Sequence, residues 1–538
     1  HDLHGLTIGP DGRLYFSIGD RGYNIRHEGK QLVDPGSGAV FRCDLDGRNL
    51  EVIATGLRNP QELAFDDFGN LFTGDNNSDS GDKARWVYVV EGGDTGWRMA
   101  YQYLSDRGPF NREKIWHPLH AGQPAYIVPP IANISDGPSG LDFYPGTGFG
   151  DLFADQVLLC DFRGTANQSG LRSIRNEPDG AFFRIAEDGQ PLWQVLATDV
   201  QFGPDGGLYV SDWVNGWDGE GKGRIYRLES QAHHDAPEVA EVREILAADM
   251  THLEESVIAD YLSHIDRRIR LKAQLELASR GAIDPLQYAA RQGATVLERL
   301  HGMWGVDQIT RSGSELQDQA KELWLSLASD SSSEVRAHAL RILGETGDSD
   351  VDVKAAVLAR LADENSRVRY FALTAVRKLV LQAAFEPVVN ELAQNAGVDP
   401  ILRHGGIMAI TTIADERQLE GLSEHTSKHV RLAAVVALRR QSSPLIAMFL
   451  KDSDEDVVAE AAIAIHDIPI SEAMPALAAM LNRAPERDAI IRRVLNANFR
   501  LGQKEHVQAL VRYAADSANP EAMRREALSM LSDWKSPN

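Results

Sequence analysis

Three stretches of this 538-residue chain carry side chains that could do chemistry. The loop "TGDNNSDSGDK" (73–83) sets Asp75, Asn76, Asn77 and Asp79 close together between glycines. Carboxylate and amide oxygens on such a loop suit a hard cation, Ca²⁺ rather than zinc. It is not an EF-hand loop, because no Glu stands at the twelfth position, and Asn/Asp/Ser clusters also make ordinary turns. The string "TGLRNPQELAF" (55–65) is the most specific in the chain. Its Arg58 and Asn59 can stabilise negative charge on an oxygen, or Pro60 can fix a turn while Arg58 pairs with an acidic neighbour. His1 offers an imidazole that can take a proton near neutral pH, and His4 reads as structural.

Other chemistries lack their residues. No Gly-x-Ser-x-Gly, Walker loop, His-Glu-x-x-His or Cys-x-x-Cys-His occurs. Only Cys43 and Cys160 are present, in distant strands, so a Cys-rich zinc site and a disulfide framework are excluded. Both are expected to be unpaired. Lys+Arg 55 against Asp+Glu 78 gives a net charge of −23, which argues against nucleic acid or an anionic membrane surface as partner. No apolar run is long enough to span a bilayer.

The elements that must position these residues change along the chain. Of 46 glycines, 34 precede residue 231, so the first part is rich in turns and the second is not. "GPDGRLYFSIGD" (9–20), "DDFGNLFTGDNN" (66–77) and "GPDGGLYVSDW" (203–213) are variants of one turn-then-strand unit. "GAVFRCDLDG" (38–47), "GAFFRIAEDG" (180–189) and "GRIYRL" (223–228) look like its companion strand. Such recurrence predicts β-propeller blades, of which about four can be assembled. After "LESQAHHDAP" the period becomes helical. "SSEVRAHALRILGETGD" (332–348) and "NSRVRYFALTAVRKL" (365–379) each carry an apolar-Arg pair. Arg336, Arg369 and Arg403 are spaced by 33 and then 34 residues, the period of a helix-pair solenoid resembling HEAT repeats. Those arginines are expected to cap helices. The expected organisation is a β-propeller over 1–230, a linker over 231–237 and an α-solenoid over 238–538.

"HDLHGLTIGPDGRLYFSIGD" (1–20), "TGLRNPQELAF" (55–65) and "VEGGDTGW" (90–97), in that order, resemble the soluble quinoprotein glucose/sorbosone dehydrogenase family across residues 1–228. "PSGLDFYPG" (138–146) is also similar to a strand of that family. The resemblance implies a six-bladed propeller holding pyrroloquinoline quinone (PQQ) over calcium. It implies that His1, eight residues before Gly9, is the general base, and that Arg58 and Asn59 contact the quinone oxygens. Asn24 matches a position near the cofactor, and Arg163 replaces a family Lys while keeping its charge. Asp75, Asn76, Asn77 and Asp79 occupy the stretch that supplies carbonyls to calcium. Two arginines that clamp the quinone carboxylates are replaced by Leu196 and Thr198. Those clamps are charge-assisted bonds worth ~1.5–3 kcal/mol each.

The propeller-then-HEAT arrangement resembles exported bacterial proteins that often end in a haem-bearing cytochrome c segment, which is not in this chain. Four blades of a six-bladed type, and a start at His1, read as a fragment or processed product lacking ~100 residues upstream. The expected activity is PQQ- and calcium-dependent oxidation of a sugar or small alcohol in the periplasm or cell envelope. The solenoid would meet a cytochrome or other protein. A non-catalytic glycan- or protein-binding scaffold and a calcium-dependent lactonase-type hydrolase are the alternatives. His1, Arg58 and the 74–79 loop are expected to meet on one propeller face.

Overall fold

The computed structural model describes residues 1–218, 221–311, 316–348, 350–483 and 485–534. Its recurrent unit begins with a turn whose chemistry repeats. Gly12, Gly69 and Gly206 take left-handed φ of 72°, 72° and 74°, which only glycine adopts without cost. In each turn an Asp carboxylate accepts backbone N–H groups, Asp11 from Arg13, Asp66 from Phe68 and Asn70, and Asp205 from Gly207. Tyr15 and Tyr209, at the same place in their strands, each donate 2.8 Å hydrogen bonds to Asp11 and Asp205.

These turns join the first and second strands of the first, second and fourth of four antiparallel sheets. The first sheet contains Leu3–Ile8, Leu14–Ile18, Gly38–Cys43 and Glu51–Leu57, with Gly93–Asp94 added in parallel. The second contains Pro60–Phe65, Leu71–Asp75, Arg85–Val89 and Ala132–Asn133. The third contains Gly137–Phe143, Gln156–Phe162, Gly170–Asp179 and Phe182–Trp193, and the fourth Ala197–Phe202, Leu208–Asp212 and Arg224–Leu228. The first strand of each sheet touches that of the next, giving an arc of four blades. Apolar alternation buries Val40, Leu57, Leu63, Leu71 and Val87 between the first two blades, and Leu158, Leu171, Val200 and Val210 between the last two. Cys43 and Cys160 are free and buried.

From Pro237 onward the described elements are helical, and a HEAT-type pattern is evident in one recurring contact. Arg270, Arg336, Arg369 and Arg431 each direct Nη1 at two carbonyls of the preceding turn, six and five residues back. Each ties the start of its helix to the turn before it. Among the described residues no helix is long and apolar enough to cross a membrane.

The change from strand to helix is not where the compact units divide. The first unit holds His1–His120 and Ile127–Ala375, the second Ala121–Tyr126 and Val376–Asn538. Within the first, helix side chains satisfy the blade turns. Gln274 donates to the Pro10 carbonyl (2.7 Å), Arg270 to Asp67 (2.7 Å) and Arg367 to Asn70 (2.6 Å). The His338 imidazole lies 3.0 Å from the Phe68 carbonyl, and Arg268 donates to the carbonyls of Phe202 and Gly203. Within the second, the Ala125 N–H donates to the buried Glu460 carboxylate (2.7 Å), and the Arg439 guanidinium lies 4.0 Å from the Tyr126 ring centroid.

Candidate functional site

At the end opposite its turn, the second strand of every blade leads to an acidic residue. Asp20, Asp75, Asp161 and Asp212 are 1%, 0%, 0% and 7% exposed. A carboxylate this deep is costly unless it is hydrogen-bonded, so its partners define the surroundings. Asp20 lies 2.6 Å from His1 Nδ1 and accepts from Trp97 Nε1 (2.7 Å). Asp75 accepts from the backbone N–H groups of Arg58 (3.0 Å) and Asn59 (2.8 Å) and pairs with the Arg85 guanidinium. Asp161 pairs with Arg163 and Arg172, both at 2.9 Å. Asp212 accepts from the Val214 N–H (2.8 Å) and the Tyr226 hydroxyl (3.3 Å). Burial pushes the Asp20 and Asp75 carboxyls up and the Arg85 guanidinium down.

Arg58 sits in the link between the first two blades, and its carbonyl accepts the Asp20 N–H at 2.7 Å. Its side chain is buried, with the guanidinium 5.5 Å from the Trp97 ring centroid. It donates to the Asn77 carbonyl (2.6 Å) and pairs with Asp79. Gly19 explains how His1 and Asn59 come so close. A Cβ there would lie 2.7 Å from His1 Cα and 2.9 Å from Asn59 Oδ1, so only glycine lets them flank the strand end.

The structure therefore brings His1, Arg58, Asn59, Asp75, Asn76, Asn77 and Asp79 together. Arg163 belongs to the same polar chain, because Asn77 donates to Asp136, whose N–H donates to Asp161 (3.0 Å), the partner of Arg163. Asn24 does not. It lies exposed on the hairpin of Tyr23–His27 and Lys30–Asp34, bonded to Gln31. Leu196 is buried with its carbonyl accepting the Trp213 N–H (3.0 Å), and Thr198 Oγ1 lies 2.8 Å from Ser211 Oγ.

The 75–79 donors as they stand do not fit calcium. The Asp75 carboxylate is taken by Arg85 and two backbone N–H groups, and Asp79 by Arg58. The carbonyls of Asn76 and Asn77 accept from Arg85 (3.3 Å) and Arg58 (2.6 Å). A cation there would face two guanidinium groups. Among the described residues no group of three or more His, Cys, Asp or Glu side chains is placed to hold a metal. An anionic, oxygen-rich ligand fits better. Arg58 Nε and Arg85 Nε and Nη1 are buried donors with no hydrogen-bond partner, and Asn59 Oδ1 is an acceptor in the same condition.

Sequence reasoning missed several members of this site. Trp97, Gln102, Arg107 and Phe110 come from the excursion after Gly93–Asp94, which carries only short helical turns. Gln102 accepts from Arg58 (3.5 Å), Arg107 donates to the Ser78 carbonyl (2.7 Å), and Phe110 lies under Arg85 at 5.2 Å. The Gly-Trp of "VEGGDTGW" and the Gly-Asp ending "FSIGD" were the available signals for Trp97 and Asp20.

Comparison with known proteins bears on the same region. Residues 1–232 match a family described as "Domain of unknown function (DUF7133)", and residues 321–411 match HEAT repeats. Over 135 residues, 20% of this chain and 28% of the relative, the chain is 30% identical to quinoprotein glucose dehydrogenase B of Acinetobacter calcoaceticus. A PQQ-bound aldose sugar dehydrogenase from Streptomyces coelicolor is 21% identical, with 42% of this chain and 62% of that one covered and a TM-score of 0.29. The apo aldose sugar dehydrogenase of Escherichia coli is 18% identical, with 41% and 62% covered and a TM-score of 0.27. The chain spans less than two thirds of the length of each. It is similar to quinoprotein glucose dehydrogenase over 135 residues and carries HEAT repeats.

Proposed function

We propose that the β-rich part is the catalytic part of an oxidoreductase that takes hydride from a sugar or related small alcohol, with PQQ bound beside Arg58 and Arg85. The observation that carries this is the meeting of the His1–Asp20 pair with buried, unpartnered donors of Arg58 and Arg85 at one strand-end cluster. The similarity to quinoprotein glucose dehydrogenase over 135 residues supports it.

A quinone bound there would supply a two-electron acceptor for the hydride. The chain's own residues do the rest. The Asp20 carboxylate opposite Nδ1 favours the tautomer with its proton on that atom, which leaves His1 Nε2 to take the substrate's hydroxyl proton. Trp97 holds the other oxygen of Asp20, and its ring lies against Arg58, so base and cation share one support. Arg58 is fixed from both ends, through its backbone on Asp75 and its guanidinium on Asn77 and Asp79, and would stabilise negative charge without reorganising. Leu196 and Thr198 offer no guanidinium, so Arg85 and Arg163 are the cations left for ligand carboxylates. No step is routed through calcium. Export to the periplasm, and electron transfer to a cytochrome or other protein through the helical region, belong to the same proposal.

Full-length protein incubated with PQQ, with and without Ca²⁺, should retain quinone absorbance through gel filtration and reduce a dye with an aldose or small alcohol. His1→Ala should abolish dye reduction but keep the absorbance. Quinone that elutes free, with no dye reduction for any substrate, would overturn the proposal. The two uncharged residues at 196 and 198 favour a second reading, a propeller that binds without turnover, and that same outcome would support it.

A further inference from the structure

Trp86, Trp97, Trp116, Trp304 and Trp324 are buried, whereas Trp217 is 77% exposed. It does not stand alone. Trp213, directly after the strand Leu208–Asp212, stacks on Phe162 with centroids 5.8 Å apart and planes at 27°. Trp217 meets Trp213 edge-on at 4.7 Å and Phe162 at 6.0 Å. Three aromatic rings from the third and fourth blades thus form a corner, with one indole face turned to water.

The backbone that presents them is held in an unfavourable shape. Val214, between the two tryptophans, has φ of 61°, a left-handed conformation that costs a β-branched residue roughly 1–3 kcal/mol. It is pinned by the Val214 N–H on Asp212 (2.8 Å), with the Trp213 N–H on the Leu196 carbonyl (3.0 Å) beside it. Gly164 and Gly216 are left-handed too, and a Cβ at Gly216 would lie 2.8 Å from the Gly164 carbonyl, so the two loops press together. Trp217 thus keeps edge contacts with Trp213 and Phe162 while most of its surface stays in water.

Beside this corner a shallow, open depression of ≈ 540 Å³ is lined by Thr198, Ser211, Asp212, Trp213 and Arg224. It sets the exposed Arg224 guanidinium and the mutually bonded hydroxyls of Thr198 and Ser211 around an indole, above the buried Asp212 carboxylate. That mixture suits a ligand with one apolar face and a polar rim. A pyranose ring has this anatomy, with axial C–H groups on one face and hydroxyls around the edge. Nucleotides and other polyanions are disfavoured by the net charge of −23 and by Asp161 and Asp212 nearby.

We propose that Trp213 and Trp217 form a saccharide-binding platform, on which a pyranose ring of a neutral oligosaccharide stacks while Arg224 bonds its hydroxyls. Asp212 ends its strand as Asp75 does, so the platform lies on the strand-end side of the blades, next to the Asp161–Arg163 pair. It deepens the proposed function by naming a glycan-derived substrate and rests on that reading for catalysis, but binding is measured without quinone.

The full-length protein without quinone should be titrated with maltotetraose, cellotetraose, xylotetraose and mannotetraose, following tryptophan fluorescence and heat release. At least one should bind saturably, and Trp217→Ala should weaken it at least tenfold, Arg224→Ala about threefold. The thermal midpoint of Trp217→Ala should stay unchanged, because that ring is exposed. The platform is overturned if none of the four binds, if Trp217→Ala binds as tightly as the parent, or if AMP competes as well as the sugar. Oligosaccharide binding without dye reduction would sink the oxidoreductase and leave the platform. Dye reduction with monosaccharides but no tetrasaccharide binding would do the reverse.

Discussion

The second strand of each blade has two ends, and they are treated differently. At the turn end of the first, second and fourth blades, helix side chains take the exposed polar groups: Gln274 the Pro10 carbonyl, Arg270 the Asp67 carboxylate, Arg268 the carbonyls of Phe202 and Gly203. At the other end, buried carboxylates gather guanidinium groups, and Arg58 and Arg85 keep donors with no partner. An unpaired buried donor costs about 1–3 kcal/mol, and the strand-end cluster holds three of them, Arg58 Nε and Arg85 Nε and Nη1, where the turn end of the first blade has Arg13 Nε. Tolerating several within one cluster is what a binding site needs.

Each end can be broken separately. Asp75→Ala should do most damage, leaving the Arg85 guanidinium buried without its anion and losing about 3–5 kcal/mol in urea unfolding. A loss below about 1 kcal/mol would show that the strand-end carboxylates are not structural anchors. Arg58→Ala should lower dye reduction by about 10²–10³-fold, with Arg58→Lys only partly restoring it, since one ammonium cannot reproduce the forked contacts. Arg270→Ala, at the turn end, should cost about 2 kcal/mol of stability while quinone absorbance stays unchanged. If that variant lost the quinone, the two ends would not be separable.

Glu62 tests the middle of the blades by pH. Its carboxyl is pushed up from 4.5 to about 7, first by burial and then by Asp199. Asp142, Asp199, Arg267 and Arg268 line the same ≈ 340 Å³ cleft. A carboxyl raised on folding favours the native state at low pH, so its contribution should fade as pH rises from about 4.5 to about 7. Glu62→Gln should flatten that slope in thermal midpoints measured across the range. Trp217→Ala should change stability least, within about 0.5 kcal/mol.

Much of the strand-end cluster was legible because its residues sit at equivalent places in a repeated unit. Arg58 precedes one copy of the turn-strand unit and Asp75 ends it, so a propeller brings them together. Asp20 was in view as the end of "FSIGD", but its meaning depends on Trp97, 77 residues away, which no local pattern reports. Arg85 was likewise hidden in an aromatic strand. Asn24 matched by position alone, and the hairpin that carries it turns it toward solvent. The calcium reading rested on donor types, and donor type says nothing about whether a guanidinium already holds the oxygens. Among the helices, Arg270 and Arg336 share the same capping contacts, yet Arg270 also reaches Asp67 in a blade turn while Arg336 pairs with Asp363 in the next helical turn, which the repeat period alone does not distinguish.

Six residues from the β-rich part of the sequence, Ala121–Tyr126, are built into the second compact unit, where they supply the N–H on Glu460 and the ring under Arg439. A gene cut before Val376 would deliver a helical fragment with a gap the width of that peptide. Expressed alone, residues 376–538 should behave as half of a split protein, refolding fully only when a synthetic peptide spanning 121–126 is added back, the way a missing staple restores a spine.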